Sequence, residues 1–230
     1  MKVVELPGLA RLPYAEVWLH EVDDERLAVA FEAARGIGKS GLEVWTTTRT
    51  PAVAAFLAAR GFEEHRRYII SELDVAAAPD LGPPKLPLVT FAQQPRLERA
   101  LFELARVAYA DQPGRAETSF TFESWREWGL HAHPPDAYFI ALDGERVLGY
   151  GYLEHEGDEW RNGFMAVARE ARGTGVAGAI KRAEVAYAKQ HGIATLRTAT
   201  EVRLASMRDL NARFGYEPLY EEIVLRGSET

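Results

Sequence analysis

An apolar run, Phe164-Met165-Ala166-Val167, leads into Arg172-Gly173-Thr174-Gly175-Val176-Ala177, and an amphipathic stretch continues over Val176–Lys189. Read locally, this is a buried strand, a glycine-rich turn and a helix start. The first N–H groups of a helix have no partner inside it, and they stand at the positive end of the helix dipole. Glycine lets the backbone turn with positive φ and lets phosphate oxygens approach it closely. The stretch therefore predicts an anion-binding site of the kind that holds a cofactor phosphate. Any fold for this chain must put that strand end and that helix start side by side.

The rest of the composition narrows the choices. The chain has 230 residues, 47% hydrophobic and 27% charged, which suits one large or two small globular domains. No apolar run approaches the roughly 20 residues that span a bilayer, and Met1-Lys2-Val3-Val4-Glu5-Leu6-Pro7 lacks a signal-peptide apolar region. A cytoplasmic location with no membrane partner is expected. With no cysteine, disulfides, thiolate catalysis and cysteine–zinc sites are excluded, and no metal site is expected. The net charge of −7 argues against nucleic acid as a partner and is compatible with a cationic substrate.

Taken in order, Glu16–Val22 reads as a strand and Asp23-Asp24 as the start of a helix whose apolar face is Leu27, Val29, Ala30, Phe31 and Ala34. Leu42–Thr47 is a β-branched and aromatic strand. Thr50-Pro51 starts a helix that Gly61 closes. Residues 62–75 hold one or two strands. Trp18, Trp45 and Phe56 are expected to form the small core of this part. Four prolines in the nine residues Pro79–Pro87 cannot lie inside a helix or a central strand. The expected division is residues 1–76, a linker 77–87, and residues 88–230.

Beyond the linker, Leu88–Phe91 reads as a short strand and Pro95–Ala110 as a helix. Phe122–Leu130 reads as a short helix after the polar loop Asp111–Thr121. Tyr138–Leu142 and Arg146–Glu154 flank Asp143-Gly144 as a hairpin. Trp160–Val167 is read as one strand, then the helix 176–189, the strand Thr195–Thr200, the helix Ser206–Phe214 and a closing strand Tyr220–Leu225. Tyr150 and Tyr152 alternate with Gly149 and Gly151 and share one face of their strand, either lining an acceptor pocket or packing under a helix. The chain also repeats itself. Gly41–Thr48 followed by Thr50–Phe62 parallels Ile193–Thr200 followed by Arg203–Tyr216, both helices ending in Gly-aromatic, and the first copy lacks the glycine turn.

Gly173-Thr174-Gly175-Val176-Ala177-Gly178 is also literally G-x-G-x-x-G, with Glu201 ending the following strand, as in a dinucleotide fold. Three features count against that fold. Residues 168–172 separate strand from turn, an antiparallel hairpin precedes it, and only 29 residues follow Glu201. The whole pattern instead resembles the GNAT superfamily of acyl-CoA-dependent N-acyltransferases. Val167-x-Arg169-x-x-Arg172-Gly173-x-Gly175-Val176-Ala177 is similar to its motif A, and Met207–Tyr216 to its motif B. The resemblance covers residues 88–230 fully and 14–75 more weakly, as a truncated and degenerate second copy. It implies a mixed α/β (α+β) fold with a mostly antiparallel central sheet flanked by helices.

That resemblance implies a site. The N–H groups of Arg172, Gly173, Thr174, Gly175, Val176 and Ala177 would hold the coenzyme A pyrophosphate, and the backbone of Met165, Ala166 and Val167 would pair with the pantetheine arm. Backbone around Val167 would polarise the thioester carbonyl. The cofactor would be acetyl-CoA and the partner a small-molecule or peptide amine that attacks the thioester directly. The family's usual motif B tyrosine, the acid for the leaving thiolate, is replaced by Asn211, which retains only hydrogen bonding to the cofactor. The family's common asparagine after the fifth strand is replaced by Leu204. Candidate bases for the ammonium are Glu159, Glu154 and Glu201, with His131, His133 and His155 behind them. Each is equally read as a solvated strand-end or loop residue. The alternative to an N-acetyltransferase is a non-catalytic acyl-CoA-binding or regulatory module.

Overall fold

The computed structural model describes residues 3–4, 12–113 and 119–229. The strands are β1 (Val3–Val4), β2 (Tyr14–Trp18), β3 (Gly41–Thr47), β4 (Glu63–Asp74), β5 (Leu88–Thr90), β6 (Tyr138–Asp143), β7 (Arg146–Glu156), β8 (Glu159–Asn162), β9 (Ala166–Val167), β10 (Thr195–Glu201) and β11 (Glu217–Ser228). The helices are α1 (Asp24–Gly36), α2 (Pro51–Ala58), α3 (Glu98–Ala110), α4 (Phe122–Trp125, continued as a π turn to His131), α5 (Val176–Gln190) and α6 (Ala205–Arg213). Part of the loop read over Asp111–Thr121 lies outside the described residues.

The local reasons match the sequence. The Asp23 side chain accepts from the Arg26 N–H and starts α1, and Pro51 occupies the first turn of α2. The Thr121 hydroxyl caps α4 in the same way. Among the described residues no helix is long and apolar enough to cross a membrane.

The strands form one mixed, mostly antiparallel sheet in the order β1-β2-β3-β11-β4-β10-β8-β7-β6-β5, with β9 paired to β7 alone. Among the described strands only β2–β3 and β8–β10 are parallel. The sheet runs unbroken through both copies of the repeat, and their last strands are exchanged. The neighbour of β3 is β11, from the end of the chain, and the neighbour of β10 is β4. β11 and β4 then pair with each other at the middle of the sheet.

One face carries α1 and α2, packed on Ala15, Val17, Leu42, Val44, Ile223 and Leu225, and further along α5 and α6, packed on Leu73, Leu153 and Leu196. Helices α3 and α4 cover the other face over β6, β7 and β9, where Tyr138, Tyr150, Tyr152 and Ala166 are buried. The tyrosines thus pack under helices. The glycines between them face α5. A Cβ on Gly151 would stand 2.8 Å from both Ile180 Cγ2 and Glu184 Oε1.

Two expectations change. Trp18 and Trp45 are not in the core under α1 and α2. They lie on the opposite face and stack in series with Tyr68, at centroid distances of 5.1 and 5.4 Å, with Trp18 39% exposed. Period-two alternation puts them there, because Val17 and Val44 take the inward positions. Only Phe56, of the three, packs against that core.

Trp160–Val167 is not one strand but two, β8 and β9, broken at residues 163–165. Gly163 donates its N–H to the Tyr152 carbonyl at 2.8 Å, and a Cβ there would lie 2.0 Å from the Tyr152 ring. Gly163→Ala is therefore expected to cost about 1–3 kcal/mol by overpacking. Thermal unfolding checks this. The double variant with Tyr152→Ala should be more stable than the summed single effects.

Candidate functional site

Because β9 pairs only with β7, its other edge is open, and β8 holds β10 only through Arg197↔Arg161 and Thr198↔Asn162. Beyond Asn162 the sheet splits. A cavity of about 780 Å³ lies at this split between the starts of α5 and α6. Met165, Val167 and every residue from Ala171 to Ala179 line it, together with Leu204, Met207, Leu210 and Arg213. Of the expected cofactor residues, Met165, Val167, Arg172, Gly173, Thr174, Gly175, Val176 and Ala177 come together there. Ala166 is buried on the α3/α4 side.

Gly173 has φ +78° and Gly175 φ +96°, and a Cβ on either would meet nothing within 4 Å. The backbone angle, not crowding, requires glycine, and the free side is open. The N–H groups of Gly173, Gly175, Val176, Ala177 and Gly178 donate to no described residue. No acidic side chain occupies the first turn of α5. The cavity carries Lys85, Arg172, Arg182 and Arg213 against one carboxylate, Asp111. The arrangement suits an extended, multiply charged anion.

Arg172 and Arg182 are held, not loose. Arg172 donates to Asp111 at 2.6 Å and to the Val167 carbonyl at 3.2 Å. Arg169 grips the same carboxylate with Nε at 2.9 Å. These hydrogen bonds, Arg169 first, hold the Asp111 carboxyl well below the usual range. Arg182 donates to the carbonyls of Gly178 and Leu81 at 3.0 and 3.1 Å.

The bond to Leu81 belongs to a feature the sequence did not reveal. The proline-rich segment is not only a connector, since Leu81, Lys85 and Leu86 line the cavity. Its composition marks it as irregular and says nothing about what it lies against.

Asn211 does not line the cavity. It is 4% exposed, donates to Thr200 Oγ1 at 2.8 Å, and its Oδ1 has no partner. Glu159, Glu154 and Glu201 also stay out of the cavity and share the other face of the sheet by strand alternation. Both oxygens of Glu159 are engaged, one by Arg197 and the other by Arg161. Glu201 is 4% exposed and accepts from the Arg203 side chain at 2.6 Å and the Arg203 N–H at 2.7 Å. Glu154 lies opposite Arg161 in the β7–β8 ladder.

His131 stands 3.3 Å from Glu98. His133 stacks on Tyr152 at 4.0 Å, and burial pushes its pKa down. His155 leans on Trp160 at 4.8 Å. Among the described residues no group of three or more histidine, aspartate or glutamate side chains is placed to hold a metal.

A split sheet, an unpaired strand edge and a glycine-started helix at the split together frame one cavity with free backbone N–H groups in its wall. Residues 99–216 match the acetyltransferase (GNAT) family, and the chain belongs to it. Among solved structures it is similar to a GCN5-related N-acetyltransferase from Sphaerobacter thermophilus, with TM-score 0.73 and 16% identity over 98% of this chain and 75% of that one. It is also similar to a tandem GNAT protein from the clavulanic acid biosynthesis pathway, with TM-score 0.70 and 19% identity over 94% and 75%. A third, a GCN5-related N-acetyltransferase from Kribbella flavida, gives TM-score 0.63 and 14% identity over 94% and 82%. At such identities the likeness is one of fold. No curated protein matches the chain by sequence.

Proposed function

We propose that this protein is an N-acetyltransferase that moves the acetyl group of acetyl-CoA to a primary amine by direct attack. The observation that carries this is the row of five unpaired N–H groups at the start of α5, opening on a cavity that continues along the free edge of β9. The pyrophosphate belongs at Gly173–Gly178, with Lys85 and Arg213 beside it. The pantetheine arm belongs along Met165–Val167, where it completes the missing strand pairing. Bound there, acetyl-CoA supplies the thioester that the amine attacks.

The acceptor reaches the split from the other face, where Glu159, Glu154 and Glu201 stand among their arginine partners, and its ammonium proton leaves through one of these carboxylates. The Gln variant of the true base should lose about 10²–10⁴ in kcat, while an ion-pair partner's variant should change stability alone. Residues 1–76 are a truncated, degenerate copy joined through 77–87 to a complete unit at 88–230. The repeat of β3-α2-β4 in β10-α6-β11 supports that division, and the exchange of the last strands joins the two units in one sheet. We place the protein in the cytoplasm, acting on a small-molecule or peptide amine.

The test is calorimetric titration with acetyl-CoA, coenzyme A and NAD(H), followed by a thiol-release screen of primary amines. Binding of acetyl-CoA with a Kd of about 1 μM, about −8 kcal/mol, and thiol release are expected. Binding of NAD(H) alone would overturn the cofactor assignment. Binding of acetyl-CoA without turnover for any amine would leave a non-catalytic acyl-CoA-binding module, the reading that the inward turn of Asn211 favours.

A further inference from the structure

Lys181 and Glu184 are each 1% exposed, on the sheet-facing side of α5, and Lys181 Nζ lies 3.9 Å from Glu184 Oε2. Asn162, the last residue of β8 before the split, donates to that Oε2 at 2.8 Å. Tyr216 closes the cluster, donating its hydroxyl to Asn162 Oδ1 and placing its ring 4.8 Å from Lys181 Nζ. A buried ion pair of this kind is a poor source of stability, since desolvation opposes its attraction. Glu184 Oε1 is left buried with no partner at all. Such an orphan needs an explanation.

Its position supplies one. Glu184 Oε1 and the Met165 methyl stand against the same point of β7, 2.8 and 3.4 Å from where a Gly151 Cβ would be. Met165 lines the cavity. Lys181 is one helical turn beyond Ala177 and Gly178, which also line it, on the same side of α5. The pair therefore lies next to the lining residues Met165, Ala177 and Gly178 without lining the cavity itself, and the Met165 side chain beside Glu184 Oε1 is a flexible thioether. The tyrosine that usually protonates the leaving group is absent, and Asn211 cannot replace it.

We propose that the Lys181–Glu184 pair is the proton donor to the thiolate that acetyl transfer leaves behind, through Glu184 Oε1. The proposal rests on the reading of the cavity as an acetyl-CoA site. The amine nitrogen bonds to the acyl carbon, the carbon–sulfur bond breaks, and sulfur departs with its electron pair. The pair gives that sulfur a proton and recovers one that the nitrogen sheds as the amide forms. Burial pushes the Glu184 carboxyl up and the Lys181 ammonium down, and both shifts favour the uncharged pair, in which the carboxyl holds a proton to give. Among the described residues, the titratable groups facing Glu184 are Lys181 from its own helix and Tyr216 from the turn before β11; β8 and β7 bring Asn162 and Gly151.

The test needs no acceptor. Coenzyme A and desulfo-coenzyme A, which lacks the thiol, are titrated calorimetrically around neutral pH in buffers of different ionisation enthalpy. Coenzyme A should release a fraction of a proton, because its S–H donates to Glu184 Oε1 and favours the carboxylate. Desulfo-coenzyme A should release less by that fraction, since the phosphates that both ligands carry also give up protons in a cationic cavity. Glu184→Gln should abolish the difference while keeping coenzyme A affinity within about tenfold, and Lys181→Met should alter the pH at which it occurs. Equal proton exchange for both ligands, or a difference unchanged in Glu184→Gln, would overturn the assignment of the pair and leave the acetyl-CoA site standing. Failure of the wild type to bind either ligand would overturn the site and the pair together. The wild-type comparison stands alone if a variant does not fold.

Discussion

Gly175→Glu is expected to weaken acetyl-CoA binding by at least about 100-fold while the protein stays folded. Two effects act together. At φ +96° a non-glycine residue costs about 1–2 kcal/mol, which pulls the turn away from the angle that aims its N–H groups. The new side chain also has nothing within 4 Å of its Cβ, so it extends into the cavity and sets a carboxylate where the pyrophosphate belongs. Repulsion between such charges at a few ångströms is worth several kcal/mol at the effective dielectric of a protein surface. Gly61→Glu is the control. Gly61 has φ +80° and open space, so it takes the same backbone penalty far from the cavity. Calorimetry on both variants, with thermal unfolding alongside, separates strain from lost binding. Wild-type affinity in Gly175→Glu would place the cofactor elsewhere.

The second large effect is on stability, at Glu43. This carboxylate is fully buried on β3 and accepts from Arg66 of β4 and, at 2.9 Å, from Arg226 of β11. Arg66, 2% exposed, also donates to the Tyr68 hydroxyl at 2.9 Å. The cluster clamps the three strands at which the exchanged pairing occurs. Glu43→Ala strands the Arg66 guanidinium without its counter-charge, and is expected to destabilise by about 3–5 kcal/mol. For a chain of this size that lowers Tm by roughly 6–20 °C. Combining Glu43→Leu with Arg66→Met removes both charges and should recover much of the loss. Arg226, with 14% of its side chain exposed, can turn toward water. A Glu43→Ala variant within 1 kcal/mol of wild type, by denaturant unfolding, would mean that the three strands hold without the cluster.

Much of this protein was legible in order along the chain. The cap at Asp23, the Asp143-Gly144 hairpin and the glycine turn are set by the residues that form them, so each can be read alone. The helix at 176–190 and the strand at 195–201 follow from periodicity within one element. What failed were contacts between elements distant in sequence. The break after Asn162 depends on the Tyr152 ring taking the room a side chain at Gly163 would need. Trp18 and Trp45 look like core residues until the register of β2 on β3 shows that valines hold the inward positions. The linker is recognisable as irregular but not as a cavity wall.

The sequence by itself determined most of the element order and the glycine turn that starts α5, because glycine backbone freedom, capping and helical or strand periodicity act within a few residues; the mostly antiparallel sheet was legible only through the family resemblance. Only the tertiary structure decided that β4 and β11 exchange places. It also turned Asn211 inward, and set Lys181 and Glu184 at the split, not at the helix surface. Strand partners and burial depend on which surfaces meet after the chain has closed long loops, and no local spacing records that choice.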